Sequence, residues 1–151
     1  MKPDTKDLTL INALQQNASR RLEALARDVK LASSSSVHER IRRLEQEGII
    51  RGWTVKVDSG AIGLNVTAFI GVRSSKPCSE LMGSLQKLSA IEECHSVAGE
   101  LSMMLKVRVT GTAELLELTD ALRQIPGIEQ TETTIVLKTQ IERPVPAPIT
   151  K

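Results

Sequence analysis

Aromatic side chains are nearly absent from this sequence, which has one Trp, one Phe and no Tyr in 151 residues. Proteins that bind single-stranded nucleic acid usually stack the bases on such rings, so this mode of binding is disfavoured. Cysteine is also scarce. Cys78 and Cys94 fit no metal-ligand spacing, and free or buried thiols are the simpler interpretation.

The sequence also lacks long apolar runs. No stretch approaches the roughly 18–20 apolar residues that span a bilayer, and residues 1–4 do not begin a secretion signal. We therefore expect a cytoplasmic protein without a membrane partner. No phosphate-binding glycine loop or paired-carboxylate arrangement is present, and neither His38 nor His95 has the neighbours of a metal site or a catalytic triad. The prediction is a protein without enzymatic activity, cofactor or metal.

The charge of the chain is unevenly divided. Residues 1–60 contain eleven Lys/Arg and eight Asp/Glu, a net charge of +3, whereas residues 61–151 contain nine and ten, a net charge of −1. A basic first part suits a domain that touches phosphates. Because such a surface is also common in other domains, charge alone does not identify a nucleic-acid-binding protein.

Three short helices are predicted in the first 48 residues. The first covers residues 7–16, the second lies between residues 22 and 29, and the third begins near Ser34 or Ser35, because serines favour helix starts and turns. Gly48 is placed to end the third helix in a left-handed conformation. The apolar stripes at helical spacing are Leu8, Ile11 and Leu14; Leu22, Leu25, Ala26 and Val29; and Val37, Ile41 and Leu44.

Two short helices joined by a tight polar turn are typical of a helix-turn-helix, whose last helix enters the major groove of DNA. At the start of this helix, hydroxyl groups and the positive end of the helix dipole can bind phosphates or base edges. The arginines of the same helix supply cations. The candidate DNA-binding residues are Ser34, Ser35, Ser36, His38, Glu39, Arg40, Arg42 and Arg43. The alternative is a helical hairpin with a solvated face, because Glu39, Glu45 and Glu47 balance the arginines.

After the third helix, apolar residues recur at every second position. Trp53, Val55 and Val57 alternate with polar residues and predict a linker strand within residues 52–64, one that could pair in a dimer. Strands are then predicted at residues 66–72, 91–97, 101–109 and 128–137. Helices are predicted at residues 77–88 and between Thr112, as its cap, and Pro126-Gly127.

This order, β-α-β-β-α-β, is that of a ferredoxin-like domain with both helices on one face of an antiparallel sheet. The fold class is α+β, with a three-helix (winged) helix-turn-helix in front. One side of residues 101–109 is aliphatic, and we expect a second copy of the sheet to cover it. The domains are residues 1–51, the linker strand 52–64, the ferredoxin-like domain 65–139, and a stiff, unstructured Pro-rich tail 140–151.

This combination resembles the leucine-responsive/asparagine-regulator (Lrp/AsnC) family, from about residue 4 to residue 139. Each matching stretch is degenerate, but their ordered combination is fairly specific. The matching stretches are DLTLINALQ at residues 7–15, Leu25-Ala26, RIRRLEQEGII at residues 40–50, and PGI at residues 126–128 followed by residues 133–137.

The resemblance implies a transcription regulator that binds double-stranded DNA, forms dimers able to assemble into octamers, and senses an amino acid or related metabolite. It also implies an effector site near the turn at Gly99. Ser102 stands where the family usually has Asp, and Met103 where it usually has an aromatic residue. The candidate effector-binding residues are Gly99, Glu100, Leu101, Ser102, Met103 and Thr133. A plain hairpin turn explains the same residues.

Three other classes of protein remain as alternatives. A metabolite-binding module without DNA binding would have a neutralised third helix, yet the arginines are present. A nucleoid-architectural protein would bind random and promoter DNA alike. A ferredoxin-like oxygenase would need a polar or aromatic cavity, and residues 61–151 contain one His, one Phe and neither Trp nor Tyr.

Overall fold

The computed structural model describes residues 2–145, 147 and 148. The chain forms two compact units, Met1–Lys56 together with Ile141–Lys151, and Val57–Gln140. Each unit has its own hydrophobic core.

The described residues of the first unit form three helices, as predicted: α1 (Thr5–Gln16), α2 (Leu22–Asp28) and α3 (Ser34–Gln46). The predicted apolar stripes supply the core, since burial of one helix face provides most of the stability of short helices. Helix α3 begins at the second of the four serines, with Ser33 as its N-cap. The buried apolar residues of this unit are Leu10, Leu14, Leu25, Ala26, Val29, Val37 and Leu44.

Helices α2 and α3 end in the same hydrogen-bonding motif. After α3, Gly48 has φ +68°, and the N–H groups of Gly48 and Ile49 donate to the carbonyls of Glu45 and Leu44. After α2, Lys30 has φ +54°, and Lys30 and Leu31 donate in the same way to Arg27 and Ala26. This is the Schellman motif, which favours Gly at the left-handed position. The prediction for Gly48 is confirmed, whereas Lys30 adopts the same conformation with a side chain.

The predicted linker strand is not formed. Residues 51–58 have no regular secondary structure, and a 3₁₀ turn follows at Gly60–Ile62. A strand requires a hydrogen-bonded neighbour, and the described part of the chain offers none here. For the same reason no wing follows α3 within the described residues. Trp53, Val55 and Val57 are 50, 79 and 52% exposed.

The tail is less free than predicted, because part of it packs on α1. Asn12 pairs with the backbone of Ala147: its Nδ2 donates to the carbonyl at 3.2 Å, and its Oδ1 accepts from the amide at 3.0 Å. Gln15 Nε2 donates to the Val145 carbonyl at 2.9 Å. Pro146 and residues 149–151 of the predicted tail lie outside the described residues.

The second unit has the predicted β-α-β-β-α-β order. Its four strands form one antiparallel sheet in the order β2-β3-β1-β4. The elements are β1 (Val66–Ser74), α4 (Cys78–Leu85), β2 (Ile91–Ser96), β3 (Met103–Val109), α5 (Thr112–Arg123) and β4 (Ile128–Ile135).

Two details of this unit differ from the predictions. Gly111, not Thr112, is the N-cap of α5, and no side chain caps that end. The Glu114 carboxylate instead accepts from the backbone and hydroxyl of Thr110. Several ends are also shorter than predicted, with α4 ending at Leu85 and β4 at Ile135. Hydrophobic periodicity locates elements better than their ends.

The aliphatic side of β3 does not need a second sheet as its cover. Its residues are fully buried against α4 and α5 of the same chain, and the opposite side of β3 contains Met104, Lys106 and Arg108. The prediction that a second copy of the sheet covers this side is therefore wrong. The buried residues of this side are Met103, Leu105, Val107 and Val109.

We predict that Lys30→Gly stabilises the protein, because Gly removes the cost of about 1 kcal/mol that a side chain adds in the left-handed region. Gly48→Ala is the matched control and should destabilise the protein. The added Cβ would have no neighbour within 4 Å, so this variant changes only the backbone strain. Urea unfolding of both variants measures the effect. A less stable Lys30→Gly variant would contradict this explanation.

Candidate nucleic-acid interface and effector site

The centre of the helix-turn-helix is the carboxylate of Asp7, whose side chain is only 2% exposed. Asp7 and the N-cap Asp4 form a capping box on α1, in which each side chain accepts from the other's backbone N–H. Asp7 Oδ1 also lies 2.7 Å from Arg40 Nη1, and Asp7 Oδ2 lies 2.6 Å from Arg43 Nη2. Two cations of α3 thus neutralise one buried anion of α1.

Arg40 makes a second ion pair, with Asp4 Oδ2 at 2.8 Å. This hydrogen bond holds the pKa of the Asp4 carboxyl below its ordinary value. Arg40 and Arg43 are half-buried on the side of α3 that faces α1. Their guanidinium groups therefore hold α3 against the start of α1 and are less available to contact DNA.

The outer face of α3 consists of Ser35, His38, Glu39 and Arg42, which are all exposed. Positions i, i+3, i+4 and i+7 of a helix lie on one side, so these four predicted residues form one continuous surface. The described chain shows no ion pair for Arg42. This face thus presents one available cation, one carboxylate and two neutral polar groups.

The start of α3 is organised by Ser33, the first of the four serines and the N-cap of the helix. Its Oγ accepts from the Ser36 N–H at 3.3 Å and lies 3.1 Å from Ser36 Oγ. Ser34 and Ser36 are half-buried, whereas Ser35 is exposed. Of the three predicted serines, Ser35 is therefore the most accessible to DNA.

The predicted effector turn joins β2 to β3. Gly99 has φ +133°, a conformation that L side chains rarely adopt, and the space around its Cβ position is open. Glu100 is exposed, and its carbonyl accepts from Arg73 Nε at 3.3 Å. Leu101 folds back over Gly71, where a Cβ would lie 2.7 Å from Leu101 Cδ1. The Glu100 carbonyl and the Leu101 side chain thus hold the turn against β1.

The other candidate effector residues are hydrogen-bonded, buried or distant from the turn. The Ser102 hydroxyl accepts from the Ser74 N–H at 3.0 Å and donates to the Ser74 carbonyl at 3.3 Å. Met103 is fully buried in the core, which excludes direct ligand contact there. Thr133 is exposed on the edge strand β4, which β1 separates from β3. Within the turn, Gly99 and Glu100 are exposed, whereas Leu101 is half-buried over Gly71.

A separate cavity of about 340 Å³ lies between α4 and β2. Its lining contains none of the predicted effector residues. Among the described residues no group of three or more His, Cys, Asp or Glu side chains is arranged for a metal ion. In the same part of the chain, no helix has the length and apolar character needed to cross a membrane.

Both the helix-turn-helix and the β-α-β-β-α-β domain match known protein families. Residues 4–45 match the AsnC-type helix-turn-helix domain, and residues 67–146 match the Lrp/AsnC ligand binding domain. These two parts define a DNA-binding transcription regulator with a ligand-binding domain. The chain belongs to the Lrp/AsnC family.

Individual relatives share the complete arrangement. The HTH-type transcriptional regulator FL11 of Pyrococcus horikoshii is 36% identical over 140 residues, which cover 92% of each chain. The structure of E. coli AsnC has a TM-score of 0.87 at 28% identity, covering 96% of this chain and 99% of that one. The feast or famine regulatory protein of M. tuberculosis, complexed with L-methionine, has a TM-score of 0.88 at 31% identity, with the same coverages.

Sequence reasoning missed the two aspartates that position α3. Asp4 and Asp7 are three residues apart, directly before an apolar stripe, and this spacing is the signature of a capping box. Their pairing with Arg40 and Arg43 spans more than 30 residues of sequence. Local spacing does not contain that information.

We predict that Asp7→Asn destabilises the helix-turn-helix by about 3 kcal/mol, because two half-buried arginines lose a shared buried partner. Asp28→Asn is the matched control. It removes an Asp–Arg pair of similar length, Asp28 with Arg20 at 2.7 Å, whose side chains are more than a third exposed. We expect less than about 1 kcal/mol there. Similar losses in urea unfolding would refute the special role of Asp7.

Proposed function

We propose that the protein regulates transcription by binding specific sites on double-stranded DNA through the outer face of α3. The observation that carries this proposal is that Ser35, His38, Glu39 and Arg42 are exposed together on that face while Arg40 and Arg43 are held by Asp7. An arginine can contact phosphate or guanine, and a carboxylate can accept from cytosine. The composition of this face suits base contacts as well as phosphate contacts.

We further propose that an amino acid or a related metabolite controls the protein through its second unit. Support comes from the match to a ligand-binding domain and from the L-methionine bound to the M. tuberculosis relative. In this chain the Ser102 hydroxyl is occupied by Ser74, so the exposed carboxylate of Glu100 is the turn's available partner for an ammonium group. Charge-assisted hydrogen bonds of this kind are the stronger ones.

Assembly as a homodimer, able to form an octamer, is part of the same proposal. Its support is exposed apolar surface, namely Trp53, Val55 and Val57 in the linker and Phe69, 41% exposed, on the sheet face away from the helices. Extended apolar segments without a partner favour pairing with another chain. We place this regulator in the cytoplasm, without an enzymatic reaction.

We predict that Arg42→Ala lowers the affinity for duplex DNA and reduces the slope of log K against log salt by about 0.9, the value for one phosphate contact. Fluorescence anisotropy would compare a duplex selected from a random pool by the wild type with an unselected duplex. Lys87→Ala, which removes an exposed cation from the second unit, is the matched control.

The two duplexes also separate the remaining DNA functions. A regulator enriches particular sequences and binds them more tightly, whereas an architectural protein binds both duplexes equally. Unchanged DNA affinity in Arg42→Ala would exclude the outer face of α3 as the phosphate-contacting surface. Arg43→Ala should instead lower the stability of the first unit, because Arg43 holds Asp7.

For the second unit, we predict that an amino acid raises the melting temperature, by about 5 °C or more at 100 times its dissociation constant. L-methionine is the first compound to test, followed by other amino acids. Gly99→Val should abolish this shift. Gly63→Val is the matched control, because Gly63 also has positive φ, +86°, and open space, but lies outside the turn.

Sedimentation with and without the amino acid tests assembly in the same samples, with a dimer as the expected baseline. Ser102→Asp should strengthen the response by adding a second carboxylate beside Glu100. If no amino acid stabilises the wild type and Ser102→Asp gains nothing, the turn is not an effector site. The second unit would then be an assembly module.

A further inference from the structure

The two cysteines, sixteen positions apart in the sequence, meet in the folded chain. Cys78 is the first residue of α4, and Cys94 lies on β2, paired with Leu105 of β3. Cys94 lines a cavity together with Met82, which lies one helical turn after Cys78, so Cys94 is next to the first turns of α4. Both residues are half-buried free cysteines, and both pack against the same core.

A third sulfur belongs to this group. Cys78 and Met82 are four residues apart on α4 and therefore lie on one side of the helix. The Cys78 Sγ–Met82 Sδ distance is 3.7 Å. A metal–thiolate bond is about 2.3 Å long, so two sulfurs on one trigonal ion are about 4 Å apart. The observed separation is close to that value.

Two of the three sulfur-containing side chains border an open cavity. Met82 and Cys94 line the cavity of about 340 Å³ between α4 and β2, together with the polar side chains of Gln86, Ser89 and Glu92. A new metal site requires such an entry path as well as its ligands.

We propose that Cys78, Met82 and Cys94 form a three-sulfur binding site for a soft monovalent cation of the Cu(I) type. Thiolate and thioether ligands select Cu(I) over harder ions. A tetrahedral zinc site would need a fourth ligand, and no cluster of three His, Cys, Asp or Glu side chains exists among the described residues.

Binding would convert both thiols to thiolates and release two protons to the solvent, with no change in the oxidation state of copper. Because each released proton contributes about tenfold per pH unit, the apparent affinity should rise by up to about 100-fold per unit.

The test is anaerobic titration of the reduced, full-length protein with Cu(I) in competition with a chromogenic chelator. We expect one Cu(I) per chain. Cys78→Ser and Cys94→Ser should each weaken binding by at least about 100-fold, more than the loss of a supporting group costs a metal site. Met82→Leu, which keeps the apolar volume, should weaken it by about tenfold. Met104→Leu is the matched control and should leave Cu(I) affinity unchanged, because Met104 lies on the opposite side of the sheet.

Circular dichroism establishes that each variant is folded before its affinity is interpreted. Cu(I) binding that survives either cysteine change would overturn the proposal. So would equal affinities for wild type and Met82→Leu, since the site would then consist of two thiols only. Binding without proton release would overturn it as well. None of these outcomes depends on DNA or amino-acid binding.

Discussion

The buried carboxylate of Asp7 is the constraint on which the DNA-binding unit depends. Removing a carboxylate from water costs several kcal/mol unless charges and hydrogen bonds replace its hydration. Here Arg40, Arg43 and the Asp4 backbone N–H provide that replacement. Because both arginines come from α3, the rotation of α3 about its own axis is fixed relative to α1. That rotation decides which side chains can face DNA.

Local patterns were sufficient for most of the fold. The three helices, the β-α-β-β-α-β order and the left-handed Gly48 after α3 follow from hydrophobic period and turn chemistry, which neighbouring residues specify. Local patterns could not predict that Arg40 and Arg43 bind Asp7 whereas Arg42 is exposed. All three lie within four residues, and only the position of Asp7, more than 30 residues earlier, distinguishes the structural pair from the exposed residue.

In the second unit, the sequence pattern does not specify what covers the aliphatic side of β3. Alternation along β3 predicts one aliphatic side but does not say whether a helix of the same chain or a second chain covers it. The crossover helices α4 and α5 cover it here. At the effector turn, the positive φ of Gly99 was foreseeable from its residue type. The engagement of Ser102 by Ser74 depends on pairing between β1 and the start of β3, which residue type alone cannot reveal.

The edge strand β2 connects the two candidate ligand sites of this unit. It pairs with β3 alone, and its other edge is open, so its position depends on few backbone hydrogen bonds. Cys94 lies on β2, and Gly99 follows its last residue, Ser96, by three positions. A cation bound to both Cys78 and Cys94 would tie β2 to α4 and restrict the strand that leads into the turn.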